Sequence, residues 1–179
     1  MTVHMTASRQ AVTEPTPLLG QGTLGPDALR AANINPDTGL ATDYLNHFNE
    51  VMMLMEMLPD MPDCAEDVLD WAPADYIEHF TNSGFKDKEL AVLAYHAAPH
   101  EVRAHLVTLV LQIEAEVERA QAMLREDAGD TACRAVARLA TDCIKPLILA
   151  ASSAIHGQAE SEDDDQDESV QAGVDALFG

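Results

Sequence analysis

The stretch PHEVRAHLVTLVLQIEAEVERAQAMLRE, residues 99–126, decides the fold. Within it Val102, Leu106, Leu109, Ile113, Val117, Ala120 and Leu124 follow one another by steps of three or four, which places them on one face of an α-helix. Pro99 suits a first turn, where its missing N–H has no intrahelical partner to lose. The spacing predicts a helix reaching about Glu126, and Gly129 and Asp130 then make a turn. Ala132, Val136, Leu139, Cys143, Leu147, Ala150, Ala154 and Ile155 repeat the same period back to Gly157. Two such helices joined by so short a turn predict an antiparallel hairpin. Pro146 removes one backbone hydrogen bond inside the second helix, so a kink near Asp142, or a break between two helices, is expected.

Upstream, Leu45, Phe48, Val51, Met52, Met55 and Leu58 give one wide apolar face, capped by Thr42 or Asp43 and stopped by Pro59. Residues 59–85 break into short helical pieces, roughly 64–71 and 74–81, with Trp71, Tyr76 and Phe80 as anchors. A further helix spans about residues 86–97. Residues 35–39 read as a turn from their Asn, Pro and Gly. Residues 1–34 mix Thr, Pro, Gly and Gln without a sustained period and are expected to be disordered. Apolar residues make up 47% of the 179-residue chain but aromatics only 4%, which favours packed helices over a β-sandwich. The expected fold is all-α: a helical bundle over 35–157 built on the long hairpin. So few aromatics leave room for a homodimer to complete its core.

A net charge of −21 argues against nucleic acid and against an anionic membrane surface, since both are held by Lys and Arg. Partners should be proteins. The N-terminus lacks an apolar leader, no uninterrupted apolar stretch has the length of a spanning helix, and Cys64, Cys133 and Cys143 form no CxxC pair, so a cytoplasmic protein with reduced thiols is expected. Cys143 occupies a core-like position. No Ser-His-Asp order, phosphate loop or HExxH motif is present, and no cofactor is implied. His96, His100 and His105 carry an alternative metal-binding reading, weakened by Pro99 between the first two and by the lack of a second ligand motif. On the polar side of the Tyr44 helix, Asp43, Asn46 and His47 place a carboxylate, an amide and an imidazole within two turns. Such a pair of Asp and Asn can point a water at a phosphoryl group, and these three residues are the candidate catalytic set.

Residues 160–168 hold seven carboxylates in nine positions and read, over 158–169, as an extended acidic linker. Beyond it, in 170–179, Val174, Leu177 and Phe178 fall at i, i+3 and i+4, so a helix of this segment gathers them on one face when a groove supports it. The pattern formed by Gln171, Val174, Asp175, Ala176, Leu177 and Phe178 resembles the terminal docking peptides that bind the chemotaxis response regulator CheY. Such peptides stand at the C-terminus of the chemotaxis phosphatase CheZ and at the N-terminus of a flagellar motor switch protein. Gly173 departs from the pattern, which usually carries an acidic residue there. The resemblance implies a receiver domain of the CheY kind as partner, bound through Gln171, Val174, Asp175, Leu177 and Phe178. It also implies aspartyl-phosphate phosphatase activity, for which CheZ uses a hairpin glutamine; Gln112 and Gln121 lie on the first hairpin helix here. The rival reading is a non-catalytic acidic adaptor or structural protein.

Overall fold

A computed structural model describes residues 17–158, and every regular element among them is helical. In chain order these are α1 (Pro26–Ala31), α2 (Asn46–Met57), α3 (Ala65–Asp70), α4 (Tyr76–Asn82), α5 (Lys88–Ala97), α6 (His100–Glu126), α7 (Asp130–Leu139) and α8 (Lys145–Ile155). The all-α class expected from the composition is observed. Among the described residues no helix is long and apolar enough to cross a membrane.

On α6, Leu106, Leu109, Ile113, Val117, Ala120 and Leu124 are buried, while Val102 is half-buried against the core at the helix start. Each fully covered Leu, Ile or Val contributes about 1.5–3 kcal/mol by leaving water. α6 packs against α7 and α8, and α3 also meets it. Phe48, Val51, Met52 and Met55 of α2 close the core against α3, α7 and α8.

Pro146 does not break the returning segment. The backbone widens into one π turn over Ala140–Ile144, directly before the proline, and the chain stays helical from Asp130 to Ile155. A wider turn absorbs the missing donor and the ring's bulk without ending the helix.

Two expectations are corrected. Residues 17–34 are not disordered: Leu24 and Leu29 are 0% exposed and Ile34 is 2% exposed, held by a 3-10 turn at Gly22–Leu24 and by α1. Three anchors separated by Gly and Pro turns give no helical period to read, although each is packed. Residues 1–16 and 159–179, with most of the acidic linker and all of the docking peptide, lie outside the described residues. Nor do Thr42 and Asp43 cap α2. They belong to a 3-10 turn, Thr42–Leu45, and the Asp43 carboxylate accepts a hydrogen bond from Asn33 Nδ2 at 2.9 Å.

The turn at 35–39 ties distant parts of the chain together. Asn35 Oδ1 accepts from the backbone N–H groups of Asp37 and Thr38, and Thr38 Oγ1 donates to the Ile155 carbonyl at 2.6 Å. Gly39 has φ 72°, and a Cβ there would sit 2.7 Å from the Ala94 carbonyl oxygen, so no other residue fits. Gly157, also at φ 72°, ends α8 in a Schellman motif: its N–H bonds Ala154 and the N–H of Gln158 bonds Ser153.

Candidate functional site

The predicted trio is divided by the fold. Asp43 and Asn46 line one open pocket of about 440 Å³, with Asn33, Asn49, Leu149 and Ser152 completing its wall. Asn46 is exposed at its rim, whereas Asp43 is held by Asn33. Two such polar groups can orient a water. No Lys, Arg or His lines this pocket, so the wall offers a phosphoryl group no cation.

His47 serves elsewhere. Its Nε2 lies 2.8 Å from the Ala72 carbonyl, a contact that fixes Nε2 as the protonated donor. Its ring stacks on Trp71 with centroids 4.8 Å apart, and Trp71 Nε1 donates back to the His47 carbonyl at 3.1 Å. The pair braces the stretch after α3 against α2.

Around this brace the aromatics of the described residues gather. Tyr44 meets Phe48 and Tyr76 edge-on, each at 5.2 Å, and Tyr76 stacks on Tyr95 at 4.5 Å. Tyr44 donates its hydroxyl to the Ala74 carbonyl at 2.9 Å, and the Tyr76 hydroxyl oxygen accepts the Ala41 N–H at 2.9 Å. Burial pushes both phenols above their ordinary range, so they remain neutral hydrogen-bonding groups. Burial, reinforced by His47, holds half-buried His79 below its usual value.

Gln121 was legible only as a polar residue on the first of the two long helices, α6. It is 9% exposed, and its Nε2 donates to the carbonyls of Val68 and Trp71, each at 2.9 Å. That amide satisfies the end of α3 and does not face a reacting group; Gln112 is exposed. His96, His100 and His105 are all exposed, and among the described residues no three His, Cys, Asp or Glu side chains converge as metal ligands. Cys64 and Cys133 are buried and Cys143 only half-buried, so the core position expected of Cys143 is a peripheral one.

A second concavity was not foreseen. Between α6 and the irregular stretch 71–75 lies a groove made of two adjoining hollows, about 120 Å³ and about 400 Å³. Leu111 and Glu114 belong to both. Trp71 and Pro73 flank one, Tyr44 and Asp75 the other. Burial first, and Asp75 second, pushes the Glu114 carboxyl up. The signal in the sequence was weak: Val107 and Leu111 stand off the main apolar stripe of α6 at i, i+4.

No protein-family model, curated protein or solved structure matches this chain.

Proposed function

We propose that the protein is a helical adaptor that captures a response-regulator receiver domain of the CheY kind through residues 170–179. One observation carries the reading: the docking pattern of Gln171, Val174, Asp175, Leu177 and Phe178, set beyond an acidic tract from a body whose last helix is closed at Gly157. We read α6 and the α7–α8 segment as one antiparallel hairpin of that body, supported by the turn at 127–129 and by the packing of α6 on both α7 and α8. A receiver as partner puts the protein in the cytoplasm, with which three free cysteines accord.

Capture without chemistry fits the site residues better than phosphatase action. His47 and Gln121 are committed to backbone carbonyls, and the Asp43–Asn46 pocket lacks a cation. The shared pocket of Asp43 and Asn46 is the feature that still favours water activation as a second reading.

Titration calorimetry of the full chain against beryllofluoride-activated receivers tests both. Micromolar binding is expected, because each apolar side chain of the peptide adds about 1.5–3 kcal/mol before the cost of ordering the segment. Leu177→Ala with Phe178→Ala should abolish it, and Gly173→Ala should strengthen it by up to about 1 kcal/mol. No binding across a full set of receivers ends the adaptor reading. Receiver dephosphorylation that proceeds in the wild type and slows in Asn46→Ala, with binding intact, would establish the second reading.

A further inference from the structure

Both walls of the groove between α6 and residues 71–75 combine apolar and acidic side chains. Val107 and Leu111, one turn apart, are 44% and 59% exposed. Opposite them stand Trp71, Pro73 and Tyr44, and the charged groups of the lining are Asp75, Glu114 and Glu118. No Lys or Arg belongs to the lining, and none of the ion pairs among the described residues involves these three acids. Glu114 and Asp75 repel one another across partly dry space, which a cation placed between them would reverse. Tyr95 lines one end of the groove, and the Arg103 guanidinium, itself outside the lining, lies 5.6 Å from its ring centre, an internal example of a cation accepted by this aromatic surface.

We propose that this groove seats a basic amphipathic segment of a partner protein, its Lys or Arg between Glu114 and Asp75 and its apolar side chains on Val107 and Leu111. Charge selects the occupant. A second copy of this chain brings 31 acidic residues against 10 basic ones, and a nucleic acid brings only more negative charge. An exposed apolar pair flanked by acids matches an apolar segment bearing cations, because the rim charges then steer and orient it. The surface belongs to the folded body and stands independently of the receiver-docking tail.

The probe is a short fluorescein-labelled helical peptide of Leu, Ala and Arg, titrated with the full chain at about 0.15 M salt, where exposed charges are screened beyond about 8 Å. Two counterparts replace its Arg by Glu or its Leu by Ser. The basic peptide should bind in the micromolar range and both counterparts should fail. Leu111→Ser combined with Glu114→Gln should weaken binding at least about tenfold. Hydrogen exchange should slow in 71–76 and 107–118. Leu111 faces solvent and Gln copies the shape of Glu, so an unchanged helical spectrum is expected of the variant. Equal binding by the variant would assign the affinity to the acidic tract and overturn the proposal, as would equal binding by the Ser counterpart or no binding. Self-association of the wild type that the same substitutions abolish would give the groove to a second copy instead.

Discussion

Around Tyr44 the architecture is made by individual contacts, whereas along α6, α7 and α8 it is made by spacing. The first region joins α2, α4, α5 and the 71–75 stretch through stacked and edge-on rings, with Tyr44, His47, Trp71 and Tyr76 each hydrogen-bonded to a backbone group of another segment. The second buries Ile113, Val117, Val136 and Ile148 with hardly a side-chain hydrogen bond crossing it. A repeated aliphatic stripe tolerates exchange of shape, because neighbouring turns offer similar volume. Rings that also hold backbone groups do not. The aromatics of the described residues are therefore concentrated where short helices lack a period of their own.

The largest expected effect tests this contrast directly. Phe48→Ala, at a side chain 0% exposed, should cost about 3–5 kcal/mol in urea denaturation, whereas Ile113→Val, equally buried, should cost about 0.5–1.5 kcal/mol. Phe48→Leu sharpens it: a cost close to that of Ile113→Val would show that volume alone matters at the aromatic end. A smaller effect is expected at Gln121, the one buried polar side chain of α6 that reaches into the other region. Gln121→Leu leaves the carbonyls of Val68 and Trp71 without their donor and should cost about 1–3 kcal/mol. No loss would mean that the two regions meet only through apolar packing.

The smallest effect is a pH dependence confined to the aromatic end. His79 is held below its ordinary value of 6.5, so the unfolded chain binds a proton there more readily than the folded one. Stability from this site is complete above about 6.5 and falls as pH is lowered through that value toward the folded one. Glu114 has the opposite sign and a lower window, since its carboxyl is raised from 4.5 and stability falls as pH rises through that range. Thermal midpoints at several pH values between about 7.5 and 5.5 should decline on acidification in the wild type, and less in His79→Gln. Parallel declines would assign the dependence to other groups.

What the sequence made readable follows the same division. The stripe of α6 predicts a helix ending at Glu126, where it ends, because seven apolar positions in phase leave one solution. The anchors Leu24, Leu29 and Ile34 went unread, since they join the core without sharing a helical period. Of the trio around the start of α2, the pairing of Asp43 with Asn46 was legible and the place of His47 was not. Asp43 lies in a 3-10 turn, whose three-residue period sets Asp43 over Asn46 and turns His47 a third of a turn away, toward Trp71. Nothing local announced that ring stack. The groove beside Glu114 needed residues 71–75 and 107–118 together, and no periodicity links two such segments.

The turn at 35–39 has a further consequence for wiring. A Cβ on Gly39 would lie 3.1 Å from Leu19 Cδ1 and one on Gly157 would lie 3.4 Å from Thr38 Cγ2, so the first and last described segments converge on one spot. The body is thus close to a closed loop, and the order in which its segments are strung is separable from how they pack. A few glycines and serines joining residues 17 and 158, with new termini opened at the 127–129 turn, would give a permuted chain that reaches the same core.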